Sequence, residues 1–174
     1  RRPLAGEEGV GVLRKVLRML AVAVALVLCG IQFIRPERET PARASAQPIE
    51  QHVIVPPEVN QVLTRACKDC HSNETNWPWY SHVSPVSWFV AEHVNDGRSE
   101  LNFSDWGDYT PHDSSEILEM VCREVKRETM PLKSYLILHP EARLTPADVK
   151  TLCDWSDTEG RRLAATSGAA SSRQ

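Results

Sequence analysis

The sequence predicts a mainly α-helical protein, with one N-terminal transmembrane helix followed by a small helical domain that carries long loops. Three observations support this fold class. A long apolar run lies near the N-terminus. In the body of the chain, apolar residues recur every three or four positions, as on one face of a helix. Between these helical patterns, residues 72–83 and 97–112 show no regular period.

The apolar run extends from Met19 to Ile34 without a charged residue, and Lys and Arg cluster on its N-terminal side. Residues 16–34 match the ~20 residues that a helix needs to cross a bilayer. The positive flank predicts that residues 1–15 stay in the cytoplasm and that the rest of the chain is exported. A cleaved signal peptide, or a lipoprotein acylated on Cys29, is the alternative interpretation of the same run.

Composition divides the remaining chain into three parts. We predict an extended tether rich in Pro and charged residues over 35–57, a helical domain over 58–164, and a disordered tail of small and polar residues over 165–174. The formal net charge is -3, and residues 1–34 are net positive, so the body of the chain is acidic. An acidic body argues against nucleic-acid binding.

Five helices are predicted within the domain from capping residues and apolar spacing. A serine before a proline, and Thr or Asp followed three positions later by an acidic residue, mark helix starts. In chain order the helices are 58–68, one from Ser84-Pro85 to a break near Asn95, one from Asp113, a short one after Pro131 and one from Thr145.

Two of the five cysteines, Cys122 and Cys153, lie on the apolar faces of predicted helices. In an exported protein they could pair as a disulfide. They could equally be two small buried apolar residues. The sequence leaves both interpretations open.

The segment Cys67-Lys-Asp-Cys70-His71 has the C-x-x-C-H spacing of covalent haem c attachment. Two thiols on one helical turn can add to the two vinyl groups of a porphyrin, and the adjoining imidazole can bind its iron. A thioredoxin-like redox pair would need alternating strands and helices, and a zinc site would need a second ligand pair. Neither pattern is present, so we predict one covalently attached haem c with His71 as the proximal iron ligand.

Met130 is the predicted sixth ligand of the iron. It precedes Pro131 in a loop between the haem motif and the last helix, as in small class I cytochromes c, and a thioether ligand would raise the reduction potential. His93 is the competing candidate, because it shares an apolar helical stripe. Met120 lies inside a predicted helix and is assigned to the core.

Aromatic residues follow the haem motif and supply large apolar area for the walls of a porphyrin pocket. Indole N–H groups or an arginine would bind the haem propionates. These candidate pocket residues are Trp77, Trp79, Tyr80, Trp88 and Arg98. Ordinary core packing is the alternative role for each aromatic residue.

The segments CKDCHSNETNWPWYSHVSPVSWFVAEHVNDGRSELNFSDW and MPLKSYLILHPEARLTPADVKTLCDW resemble a family of membrane-anchored bacterial haem-binding domains, small monohaem proteins with a single C-x-x-C-H. The resemblance covers residues 20–160. It implies haem c on Cys67 and Cys70, with His71 as proximal ligand, and the periplasmic side of the inner membrane. The further motif members that it implies are His93, Arg98 and Met130.

Together these features predict a membrane-anchored monohaem cytochrome c whose cytochrome c-like helical domain folds around one haem. We expect it to carry single electrons to or from a membrane redox complex, such as a photosynthetic reaction centre or a respiratory complex, as a bound subunit and not as an enzyme. Residues 16–34 would contact the bilayer. The alternatives are a haem peroxidase or gas-binding sensor with an open sixth position, and a structural subunit with a vestigial haem.

Overall fold

The computed structural model describes the backbone of residues 5–38 and 47–171 and the side chains of residues 10–38 and 47–166. As predicted, the protein is mainly α-helical, and these ranges contain seven α-helices and no β-strand. The helices are α1 (Ala5–Ile31), α2 (Pro57–Ala66), α3 (Lys68–His71), α4 (Val86–Glu100), α5 (Pro111–Lys126), α6 (Lys133–Leu136) and α7 (Pro146–Ser171). Short 3-10 turns cover Ile49–Gln51, Trp79–His82, Phe103–Asp108 and Pro140–Ala142.

The described residues divide into two compact units. The first unit contains residues 5–38 and 78–91, and the second unit contains residues 47–77 and 92–171. The boundary falls inside α4, between Ala91 and Glu92. The haem motif and both candidates for the sixth ligand belong to the second unit.

The predicted transmembrane anchor over residues 16–34 is wrong. Of the helices in the described ranges, none has both the length and the apolar character needed to cross a membrane. The helix α1 ends at Ile31, so its uncharged part covers only positions 19–31. At about 1.5 Å per residue this part is roughly 20 Å long, whereas a bilayer core is ~30 Å thick. The predicted location depends on the same anchor and is therefore wrong as well. It was a single-pass inner-membrane protein with a cytoplasmic N-terminus, a periplasmic domain and residues 16–34 in contact with the bilayer.

In the first unit, the segment after α1 is bonded to the chain just before α4. The Gln32 amide donates to the Ser84 carbonyl oxygen at 3.0 Å and accepts from the Ser84 backbone N–H at 2.9 Å. The indole N–H of Trp88 donates to the Ile34 carbonyl oxygen at 2.7 Å. These bonds satisfy backbone groups of Ser84 and Ile34, which lie outside the helices. The helix α4 then begins at Val86, next to the start predicted at Ser84-Pro85.

The core of the second unit lies between α5 and α7. Leu118 and Leu152 are fully buried there. Cys122 and Cys153 form a disulfide with an S–S distance of 2.07 Å. The sequence allowed either a disulfide between these cysteines or two separately buried thiols, and the structure shows the disulfide.

The second half of the predicted tether is part of the folded second unit. Ile49 and Val53 are buried in its core. The backbone of Ile54 is bonded to α7 through its N–H, which donates to Glu159 at 3.2 Å, and through its carbonyl oxygen, which accepts from the Trp155 indole at 2.8 Å. The folded unit therefore begins before residue 58. Residues 39–46 of the tether lie outside the described residues.

Two capping boxes fix the starts of α5 and α7. Thr110 is the N-cap of α5, which therefore begins at Pro111, earlier than the start predicted at Asp113. Thr145 accepts from the Asp148 backbone N–H at 3.1 Å, and the Asp148 carboxylate accepts from the Thr145 N–H at 2.8 Å. The start predicted at Thr145 is therefore confirmed.

Two helices extend further than predicted. The helix α4 continues to Glu100 instead of ending near Asn95. The helix α7 continues to Ser171 and therefore includes residues 165–171 of the tail that was predicted to be disordered. Residues 172–174 of that tail lie outside the described residues. The longer α4 matters for the site, because its last turns pack on the C-x-x-C-H segment.

Candidate functional site

The C-x-x-C-H segment forms a single helical turn directly after α2. Cys67 links α2 to α3, and its carbonyl oxygen accepts from the backbone N–H groups of Cys70 at 3.2 Å and His71 at 3.0 Å. Both thiols are free, although a disulfide is present elsewhere in the same unit. Five consecutive residues therefore present two unbonded thiols and one imidazole.

Burial raises the pKa of both thiols. For Cys67, burial and then the neighbouring Cys70 raise the pKa to about 12, against a smaller lowering by Arg65. For Cys70, burial and then Asp69 raise the pKa to about 11. Catalytic redox cysteines instead have a lowered thiol pKa, because the thiolate is the reactive form. These environments therefore disfavour a thioredoxin-like redox pair.

The ring of His71 is oriented by a hydrogen bond through Nδ1. This atom lies 3.1 Å from the carbonyl oxygen of Leu101. A carbonyl oxygen can only accept, so Nδ1 donates the proton and Nε2 keeps its lone pair for a ligand bond. Burial lowers the pKa of His71, which favours the neutral ring. Phe103 packs edge-on against it, with ring centroids 6.4 Å apart. Metal-binding histidines commonly donate one ring N–H to a backbone carbonyl oxygen, as His71 donates to Leu101.

Gly97 allows α4 to pack directly on the haem motif. A Cβ atom at this position would lie 2.8 Å from the carbonyl oxygen of Cys70 and 3.3 Å from its Cβ. Such a distance to a backbone atom is shorter than van der Waals contact, so only glycine fits without a shift of α3 or α4. The close approach therefore fixes the position of Cys70 relative to α4.

Two cavities of the second unit lie against the haem motif, with volumes of about 200 and 250 Å³. Cys67, His71 and Met130 line both cavities, and Cys70 and His93 line the smaller one. The apolar residues that line the larger cavity are Ala66, Leu101, Phe103, Met120, Val121, Val125, Pro131 and Leu144. The structure therefore brings together both thiols, the predicted proximal ligand His71 and both candidates for the sixth ligand.

The Met130 loop is held to the haem motif by a side-chain hydrogen bond. Tyr135 in α6 donates its hydroxyl proton to Asp69 at 2.8 Å, and the other carboxylate oxygen of Asp69 accepts from the Asn76 backbone N–H at 3.1 Å. The ring of Tyr135 stacks on His139, with centroids 4.1 Å apart. A residue between the two cysteines thus connects the attachment turn to the loop that carries the predicted sixth ligand.

Arg98 binds the loop that follows the haem motif. Its Nε donates to the Ser72 carbonyl oxygen at 2.8 Å, and its Nη2 donates to the Thr75 hydroxyl at 2.7 Å. Burial lowers the pKa of Arg98, against the opposing effects of Cys70 and Asp105. The linings of the two cavities do not include Arg98. Its contacts fit a positioning role, and its predicted role as a pocket residue stays a prediction.

The aromatic pocket residues predicted from the sequence are divided between the two units. Trp77 lies in the second unit and is half-buried. Trp79, Tyr80 and Trp88 lie in the first unit, where the rings of Trp79 and Tyr80 meet edge to face at 5.9 Å. Their assignment to a haem pocket stays a prediction.

Sequence reasoning missed several residues that shape the site. Phe103, Val121 and Leu144 supply cavity walls from three different parts of the chain, and Leu101 supplies the carbonyl that orients His71. No local pattern distinguishes them from ordinary core residues. Gly97 was missed as well, because the sequence places it just after the predicted break near Asn95, where a glycine is ordinary and does not indicate a close approach.

The donor set of the second unit fits a haem c. Two unbonded thiols, a neutral imidazole with an available Nε2 and a thioether all reach the same apolar-lined space, as covalent attachment and axial ligation require. Across the described ranges, no group of three or more His, Cys, Asp or Glu side chains is placed to bind a metal ion without a porphyrin. This chemistry does not fit the zinc alternative.

The family described as "Haem-binding domain" matches residues 26–158. No curated protein and no solved structure matches the chain.

Proposed function

The chain belongs to the haem-binding domain family, and we propose that it is a monohaem c-type cytochrome that carries single electrons. In this proposal Cys67 and Cys70 hold the haem covalently, and His71 and Met130 are the axial ligands of its iron. The observation that supports it most is that all four side chains line one cavity while both thiols are unbonded.

Attachment uses each cysteine as a neutral thiol. On attachment, the S–H bond of Cys67 or Cys70 would add across one vinyl group, which would form a C–S bond and place the hydrogen on the second vinyl carbon. The addition needs no oxidant or reductant. Burial keeps both thiols protonated at neutral pH in the haem-free chain. The helical turn sets the separation of the two sulfur atoms, and Gly97 lets α4 support that turn from behind.

The axial ligands follow from the cavity linings. His71 offers Nε2, since its Nδ1 proton is held by Leu101. Met130 lines both cavities that His71 lines, whereas His93 lines only the smaller one. We therefore assign the sixth position to Met130. When bound, haem supplies one-electron chemistry, and a thioether ligand gives it a higher reduction potential than a second histidine would.

A filled sixth position favours a carrier over an enzyme. Peroxidases and gas sensors need an open iron site for their substrate, and the Met130 sulfur would occupy it. We propose that the partner is another redox protein or a redox complex, including one embedded in a membrane.

Optical spectroscopy of the holoprotein tests the axial assignment. We expect the ferric protein to show the weak far-red charge-transfer band of a Met–iron bond and the ferrous protein not to bind carbon monoxide. Met130→Ala should abolish the band and permit carbon monoxide binding, while His93→Ala, the matched control, should change neither. Retention of the band in Met130→Ala, or its loss in His93→Ala, would refute the assignment. Carbon monoxide binding to the wild type would favour the sensor or peroxidase alternative.

A further inference from the structure

A third cavity of the second unit adjoins the two that the haem motif faces. It has a volume of about 710 Å³ and shares Val125, Met130, Pro131 and Leu144 with the 250 Å³ cavity. The three cavities therefore meet at the loop that carries the proposed sixth ligand.

The third cavity differs from the other two in the charge of the residues that line it. Apart from histidines, the charged residues that line the smaller pair are all carboxylates: Asp69, Asp96, Glu100 and Glu124. The third cavity is lined by three cations, Lys126, Lys133 and Arg143, and by one carboxylate, Glu128. An anionic group is therefore repelled on the side of the haem motif and attracted on the side of the third cavity.

The three cations are positioned by backbone structure and are available for a ligand. Lys126 is the last residue of α5, Lys133 is the first residue of α6, and the backbone carbonyl of Arg143 accepts from Arg65 at 3.0 Å. Within the described part of the chain, none of the three side chains forms an ion pair. By contrast, the exposed cations of α7, Lys150 and Arg161, are paired with carboxylates four residues away.

We propose that Lys126, Lys133 and Arg143 bind the two haem propionates at the mouth of the third cavity. This inference rests on the proposed covalent attachment. Thioether bonds hold the vinyl side of the porphyrin at the haem motif, and the propionates lie on the opposite side of the ring, away from the carboxylates near the cysteines. Lysine and arginine form strong charge-assisted hydrogen bonds with carboxylates. This pairing gives the unpaired cations a ligand and assigns the propionates to residues other than Arg98.

Redox titration of the holoprotein against pH tests the site. Two variants, Lys126→Gln/Lys133→Gln and Arg143→Gln, remove cations from the third cavity. The control, Lys150→Gln/Arg161→Gln, removes the same number of charges as the double variant from exposed positions on α7. Nearby cations favour both the reduced haem and the ionised propionates. The cavity variants should therefore have a lower reduction potential than the control, and the pH region in which the potential changes should move upward.

The experiment distinguishes failure of the propionate site from failure of the proposed haem attachment. A wild type without covalent haem would overturn the proposed function and leave no propionate to bind. Haem-loaded cavity variants whose potential and pH profile equal those of the control would overturn the propionate site alone. A lower potential with an unchanged pH profile would also overturn it, because it would show a distant charge effect without contact to the propionates.

Discussion

The second unit contains two pairs of cysteines with opposite fates. Cys122 and Cys153 are 31 positions apart on the packed helices α5 and α7, and they are joined. Cys67 and Cys70 are three positions apart on one helical turn, and they are free. The first pair closes a long loop and constrains the fold. The second pair presents two thiols to a cavity and is available for a ligand. The placement of the cysteines on the helices thus distinguishes the bonded pair from the free pair.

The largest expected effect comes from removing the free pair. The double variant Cys67→Ala/Cys70→Ala should lose all covalent haem, because no other thiol lines the cavities. Haem staining of the denatured protein after extraction with acidified acetone measures this loss. Cys29→Ala, which removes the exposed free cysteine of the first unit, should keep the stain. Haem that survives in the double variant would contradict the assignment.

Removing the bonded pair should have a different effect. We expect Cys122→Ala/Cys153→Ala to retain covalent haem but to lose about 2–4 kcal/mol of unfolding free energy, since the unfolded chain regains the entropy of a long loop. Denaturant titration of the holoprotein measures the change. If this variant lost its haem while its stability stayed unchanged, the division of roles between the two pairs would be wrong.

Two glycines differ in how closely their helices approach a neighbour: Gly97 in α4, beside the free cysteines, and Gly160 in α7, the helix that carries Cys153. Gly97→Ala would place its Cβ 2.8 Å from the Cys70 carbonyl oxygen, whereas Gly160→Ala in α7 would meet Ser115 at an ordinary 3.5 Å. We expect Gly97→Ala to lower the unfolding free energy by about 1–3 kcal/mol and to reduce the haem yield. Gly160→Ala should be neutral or stabilise by up to ~1 kcal/mol. Equal haem yields and stabilities would show that α4 does not fix the attachment turn.

A smaller effect is expected where the Met130 loop meets the haem motif. Tyr135→Phe removes the hydrogen bond to Asp69. The loss should destabilise the Met130 loop in its position against the haem motif by about 1 kcal/mol. Added imidazole should then displace Met130 about fivefold more readily, as measured by loss of the far-red band. Tyr109→Phe, which removes a hydroxyl that accepts from the Asn102 N–H, is the matched control. Identical imidazole affinities in the two variants would refute the role of Tyr135.

The smallest expected effect concerns the cap of α7. Burial by itself would raise the pKa of Asp148, but hydrogen bonds from Thr145 and the Arg65 guanidinium lower it below its usual 3.8. A lowered carboxyl pKa stabilises the fold at pH values above 3.8, and this contribution is lost as the pH falls through the folded-state pKa. Asp148→Asn should therefore cost about 0.5–1 kcal/mol at neutral pH. Its stability difference from wild type should shrink below pH 3.8, and a pH-independent difference would contradict this cause.

The sequence was most informative where chemistry depends on local spacing. The turn of Cys67, Cys70 and His71 follows from five adjacent residues, and the position of Met130 before a proline predicted its loop. The walls of the cavities depend on tertiary packing, so residues such as Phe103 and Leu144 were not recognisable. Covalent attachment and axial ligation stay predictions until haem is measured.

The N-terminal run shows why hydropathy alone was misleading. The apolar letters continue to Ile34, but the helix ends at Ile31 and Gln32 bonds to Ser84. A pairing across 52 positions leaves no mark in the sequence pattern. Ile49 and Val53 were missed for a related reason. Ile49 is isolated and Val53 lies in the short run Val53-Ile54-Val55, so this Pro-rich segment has no helical period.

Intact mass spectrometry with thiol alkylation tests the central claim most directly. The protein would be produced in a host that matures c-type cytochromes, denatured without reduction, and alkylated. Of the five cysteines, two should carry haem and two should form the disulfide. The account therefore predicts the mass of one haem and alkylation of Cys29 alone. A polypeptide without haem mass that is alkylated at Cys29, Cys67 and Cys70 would contradict it.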